Sequence, residues 1–229
     1  MYTSLLDKFK IYYKKYPVSS ILLILNTIML FVVIFTGGFT LGNLIKWGGL
    51  LPSKINQDQE YFRLFTSMFL HGSIIHFLAN SYFLYQLGSS LETMLGKLKY
   101  SILYLLSGLG GSLLVWLLGA ENTVTIGASG ALFGVLGALL LLTYVKSSWF
   151  NPYSIRSIRS LVFINLIFTL LMPNISVLGH LGGFITGFAI MRLLLYKNMD
   201  HPMFYKKKTY QDPNIIDHDD ISDDDIYIH

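Results

Sequence analysis

Long apolar runs separated by short polar segments dominate this chain. Read in windows of about nineteen residues, the apolar positions collect near Val18–Phe39, Thr66–Leu87, Tyr100–Leu118, Ala128–Val145, Leu161–Met172 and Leu178–Leu195. A helix rises about 1.5 Å per residue, so about twenty residues cross a hydrocarbon core of about 30 Å. Six such runs predict an all-α polytopic membrane protein built as a bundle of six transmembrane helices. The fifth run, which stops at Pro173, is too short to cross upright without help from its flanks or a locally thinner bilayer. The first run follows the polar and aromatic residues 1–17, so it reads as a retained helix and not as a cleaved signal.

Composition sharpens this picture. Hydrophobic residues make up 53% of the chain and charged residues only 13%, with a mean hydropathy of +0.53, far from the balance of a soluble domain. The absence of cysteine removes disulfide and thiolate chemistry. Lys and Arg collect in cytoplasmic segments. Here Lys8, Lys10, Lys14 and Lys15 precede the first run, Lys97 and Lys99 follow the second, and Lys146, Arg156 and Arg159 lie between the fourth and fifth. Arg192, Lys197 and Lys206 to Lys208 end the chain on the same side, while only Lys46, Lys54 and Arg63 fall on the other. Both termini are therefore expected in the cytoplasm, with 37–61, 119–127 and 173–177 facing outward. A basic excess spread this way is a topology signal, and no nucleic-acid partner is expected.

Three parts follow: a cytoplasmic N-terminal segment 1–17, a membrane domain 18–196 and a tail 197–229. The tail runs from the basic cluster into Asp217, Asp219, Asp220 and Asp223 to Asp225, which predicts disorder in the cytoplasm. It lacks the Gly and Glu of a calcium loop.

Candidate chemistry sits inside the runs, where polar groups are costly and mark function. The second carries His71, His76 and Asn80. At i and i+4, His76 and Asn80 share one helix face and can converge on an anion, although such residues also glue membrane helices together. His71, at i−5, should point away from His76. The zinc signature His-Glu-x-x-His is absent, so neither a metal nor another cofactor is expected. Ser129, in Gly127-Ala128-Ser129-Gly130, opens the fourth run, where the free N–H groups of a helix start can hold an oxyanion; a cap or a small packing residue is the alternative. Gly130, Gly134 and Gly137 form a smooth stripe, matched on the sixth run by Gly183 and Gly187 one turn beyond His180. Where two such stripes meet, backbones approach closely, and His180 would come within reach of Ser129.

In this order, His71-x4-His76-x3-Asn80, Gly127-Ala128-Ser129-Gly130 and Gly179-His180 with Gly183-x3-Gly187 resemble the signature elements of the rhomboid family of intramembrane serine proteases, over roughly Tyr61 to Leu195. The resemblance implies a six-helix rhomboid-like bundle with a Ser129–His180 dyad that needs no acidic third member. It also implies an oxyanion site of His76, Asn80 and the Ser129 N–H kept open by Gly127, with His71 in support. Three positions depart from the family pattern. Phe62-Arg63 replaces Trp-Arg, Glu92-Thr93-Met94 replaces Glu-x-Arg, and Phe133 stands where Tyr stacks on the catalytic histidine. Glu92 and Phe133 are expected to keep their supporting roles.

The implied activity is hydrolysis of peptide bonds in or near the outer end of transmembrane helices. Its partners are membrane-protein substrates and the lipid bilayer. Lateral substrate access is expected past the fifth helix, with Phe163 and Phe168 as gate side chains. The rivals are a catalytically inactive relative that binds transmembrane helices and a small-solute transporter. An Ile-, Lys- and Asn-rich chain of this size suggests a bacterial plasma membrane.

Overall fold

A computed structural model describes residues 4–173 and 175–196; the tail expected from 197 onward lies outside them. Each of the six apolar runs carries helix, the second interrupted at residues 70–73. In chain order the helices are α1 (Leu5–Lys15), α2 (Pro17–Gly37), α3 (Leu41–Lys46), α4 (Pro52–Asp58), α5 (Arg63–Thr66), α6 (Ile74–Phe83), α7 (Ser89–Leu95), α8 (Lys97–Leu118), α9 (Ser129–Val145), α10 (Pro152–Leu171) and α11 (Val177–Tyr196). A π turn, Leu84–Gly88, joins α6 to α7 without a break. Four helices, α2, α8, α10 and α11, are long and apolar enough to cross a membrane. Their outward faces carry large apolar side chains, among them Ile28 and Phe31 on α2 and Ile164 and Leu170 on α10. A surface of this kind is stable against lipid and not against water, so the chain is a multi-pass helical membrane protein.

α9 is the axis of the bundle, since every residue from Ala131 to Leu139 is buried. It packs against α8, α10 and α11, and a helix enclosed on all sides shows no polar face. At 17 residues it spans roughly 26 Å, against roughly 33 Å for the 22-residue α8. One end of α9 therefore stops short of its neighbours. α11 is squeezed between α8 and α9 on glycine. A Cβ at Gly183 or Gly187 would overlap the carbonyl of Gly130 or Gly134, and one at Gly137 would stand 2.5 Å from the Phe184 carbonyl. On the other flank, a Cβ at Gly111 would stand 2.5 Å from the Gly179 carbonyl and one at Gly182 2.7 Å from that of Gly110.

Hydrogen bonds tie the chain into two ends. At one, the buried Glu92 carboxylate accepts from the N–H groups of Val18 (2.9 Å) and Ser19 (2.8 Å) at the start of α2, where the helix dipole favours an anion. Arg159 donates to the Thr143 carbonyl (2.9 Å) and lies over the Tyr144 ring. At the other, Leu50 and Thr125 form an antiparallel bridge, and Arg63 donates to the carbonyls of Ile45 (2.7 Å) and Gly49 (2.9 Å) while pairing with Glu60.

Two expectations need correction. The fifth helix is not short: it runs for 20 residues from Pro152, behind an Asn151 cap that accepts from the Ser154 N–H at 2.7 Å. Arg156 and Arg159 had pushed its first half below the hydropathy window, but Arg156 is exposed and Arg159 carries its charge back to the end of α9. The second run is not one helix from Thr66. Ser73 caps α6 by accepting from the His76 N–H, so His71 lies before that helix, and its ring packs edge-on against His76 with centroids 5.1 Å apart. A five-residue separation turns two side chains apart only within a helix, and at His71 the helix has not yet begun.

Candidate active site

Ser129 is the first residue of α9 and His180 the fourth of α11, so both stand where the short central helix ends below its neighbours. The glycine contacts bring the two backbones together at this level. His180 Nε2 lies 2.8 Å from Ser129 Oγ, the distance of a short hydrogen bond. Phe133, one turn along α9, stacks on the imidazole with centroids 3.9 Å apart and planes 15° from parallel. The ring is therefore held from one face, and the loss of the Tyr hydroxyl leaves the stacking in place.

Beside this pair, a cavity of about 860 Å³ is lined by His76, Asn80, Ser129, Phe133, Asn165 and His180 among others. The Gly72 N–H lies 3.5 Å from His76 Nδ1, an approach that leaves Nε2 as the proton-bearing nitrogen on the cavity side. Asn80 Nδ2 is buried and without a partner; a buried donor left unpaired is costly unless a ligand or water completes it. Gly127 takes φ +125°, and a Cβ on it would lie 2.8 Å from His76 Nε2 and 3.5 Å from Ser129 Oγ. Glycine thus keeps empty the space between the serine and a donor. Its own N–H is anchored on the Ser67 carbonyl at 2.9 Å.

The structure brings Ser129, His180, His76, Asn80, Gly127 and Phe133 to one place, with Gly183 and Gly187 behind the pair. His71 is buried behind His76 and outside the cavity lining, and Glu92 belongs to the opposite end of the bundle. Phe163 and Phe168 face outward; neither lines the cavity, whose α10 wall is Asn165. Sequence reasoning missed Thr169, whose Oγ1 lies 2.8 Å from His180 Nδ1. It also missed Gly110 and Gly111, the α8 side of the packing. Asn165 and Thr169 at i and i+4 on an apolar helix were the available signal. Among the described residues no group of three His, Cys, Asp or Glu is placed to hold a metal.

The rhomboid domain profile matches residues 58–197. The chain belongs to the rhomboid family. It is 35% identical over 162 residues to RHOMBOID-like protein 7 of Arabidopsis thaliana, covering 70% of this chain and 50% of that protein. To the mitochondrial RHOMBOID-like protein 6 of the same plant it is 38% identical over 154 residues, covering 66% of this chain and 50% of that protein. To a rhomboid protease of Bacillus subtilis it is 34% identical over 165 residues, covering 72% of this chain and 32% of that protein. The chain thus spans about half or less of the length of these curated relatives. Since both a plant and a bacterium supply them, the bacterial source expected from composition draws no support here.

Proposed function

We propose that this protein is an intramembrane serine endopeptidase that cuts peptide bonds in or near the outer end of transmembrane helices. The observation that carries the reading is the 2.8 Å approach of His180 Nε2 to Ser129 Oγ at the wall of a cavity that His76, Asn80 and Asn165 also line, inside an apolar bundle. Membership of the rhomboid family supports it, as does the name of the Bacillus relative. Ser129 Oγ attacks the scissile carbonyl carbon while its proton passes to His180 Nε2. The carbonyl oxygen, now anionic, is received by His76, Asn80 and the Ser129 N–H, donors worth a few kcal/mol each when preorganised. Collapse breaks the C–N bond, and the leaving amine takes the proton from His180. A cavity water then gives its proton to His180 and its oxygen to the acyl carbon, and Ser129 leaves reprotonated.

A regular substrate helix hides its carbonyls in its own hydrogen bonds, so segments with Gly, Pro or polar residues are favoured because they unwind near the cut. The basic end of the bundle lies in the cytoplasm in this reading, and the site opens to the far side of a plasma membrane. An inactive binder of transmembrane helices would have no use for the paired serine and histidine, and a transporter would be indifferent to Ser129→Ala. The test is labelling of the purified protein by a fluorophosphonate together with cleavage of a transmembrane substrate. Ser129→Ala and His180→Ala are expected to abolish cleavage, and Ser129→Ala to abolish labelling. Undiminished cleavage in either variant overturns the assignment.

A further inference from the structure

The geometry points to Thr169 as a positioning residue that fixes the tautomer of the catalytic base, an inference that rests on the protease reading above. Thr169 and Val162 are the buried residues of α10; Leu161 and Leu166 pack half-buried against the bundle, and the Thr169 hydroxyl is held where α10 meets α11. Its Oγ1 makes two close contacts, each of 2.8 Å, one to the Asn165 carbonyl and one to His180 Nδ1. A carbonyl oxygen has no proton to give, so the single threonine proton goes to Asn165. What faces His180 is then a lone pair, and the hydrogen bond forms only if Nδ1 carries the imidazole proton. That leaves Nε2 unprotonated toward Ser129, the form a general base requires. When His180 takes up the serine proton, the Nδ1–H···Oγ1 bond persists and steadies the imidazolium. A carboxylate in this place would hold the ring more strongly, but it would add a buried charge within a membrane span, where charge is expensive. The neutral acceptor performs the orienting part alone.

The test compares Thr169→Val, which keeps the shape and removes the acceptor, with Thr169→Ser, which keeps the acceptor. In lipid bilayers kcat of Thr169→Val should fall about tenfold or more with KM little changed, and Thr169→Ser should stay within about threefold of wild type. The imidazole ¹⁵N spectrum, assigned to His180 by subtraction of a His180→Gln spectrum, should show an Nδ1–H tautomer in wild type and in Thr169→Ser, and a mixture in Thr169→Val. A wild-type Nε2–H tautomer overturns the proposal even where the Val variant fails to fold. So does a folded Thr169→Val with unchanged kcat, or a Thr169→Ser as impaired as the Val variant. Ser129→Ala separates the two readings: if it cleaves, the protease assignment has failed; if it is inactive while Thr169→Val is fully active, only the role of Thr169 has.

Discussion

Gly127→Ala is the substitution that most directly interrogates the proposed oxyanion site. Its methyl would stand 2.8 Å from His76 Nε2, 2.9 Å from His76 Cε1 and 3.5 Å from Ser129 Oγ, in the space the developing oxygen would use. His76 lines the cavity, so it can step aside from the methyl only by leaving the position in which it would receive the oxygen. Two costs follow, on different links of the chain from sequence to function. The first is conformational: φ +125° is a glycine conformation, and holding an L-residue there costs about 1–3 kcal/mol of stability. In a chain of this size that lowers the melting temperature by roughly 2–12 °C. The second is catalytic. Blocking one donor of an oxyanion site costs about 10²–10³ in kcat.

The two costs are separable in one set of measurements. Gly127→Ala, reconstituted in bilayers and assayed well below its melting temperature, should lose about 10²–10³ in kcat on a transmembrane substrate. KM should change little, because most substrate contacts lie along the helix and away from this point. Combined with Asn80→Ala, the loss should fall short of the sum of the two singles, since both act on one small site. A folded Gly127→Ala with kcat within about threefold of wild type would refute the placement of the oxyanion beside Gly127.

Gly183→Val and Gly187→Val should each push α11 off α9, because the backbone carbonyls of Gly130 and Gly134 cannot step aside as a flexible side chain can; a loss at or above the upper end of overpacking, about 3 kcal/mol, together with loss of cleavage, is expected, and unchanged turnover in both would discredit the packing argument. Glu92→Gln keeps the shape but removes the charge that accepts two N–H groups at the start of α2; thermal unfolding should show a loss of about 1–2 kcal/mol with kcat at low temperature unchanged, and an unshifted melting point would show that this contact does not hold α2.

How much of this was legible in the chain depends on how far each contact reaches. A glycine stripe is local: Gly183 and Gly187 sit on one face by helical geometry alone, and the matching stripe at Gly130, Gly134 and Gly137 could be paired with it on paper. The extent of α10 was not legible, because a hydropathy window counts Arg156 and Arg159 against a span without knowing that Arg159 can hand its charge to the end of α9. His71 was misplaced for a related reason. The window saw apolar character from Thr66 onward, whereas helix begins only where Ser73 accepts the His76 N–H, and a cap is decided by one hydroxyl among several nearby.

Thr169 shows where reading one helix at a time fails. A threonine inside a membrane helix ordinarily gives its proton to the carbonyl four residues back, and Thr169 does so, as do Thr27 and Thr36; beyond the i, i+4 spacing from Asn165, the sequence carries no mark that sets it apart. What differs is the lone pair that remains. On Thr169 it meets an imidazole brought in by α11, whose approach is fixed by glycines on α8 and α9. The local bond is thus what makes the distant one directional: a hydroxyl already committed as a donor can only accept. The tautomer of the base would then be set by a helix it does not belong to, through a packing arrangement specified on two others.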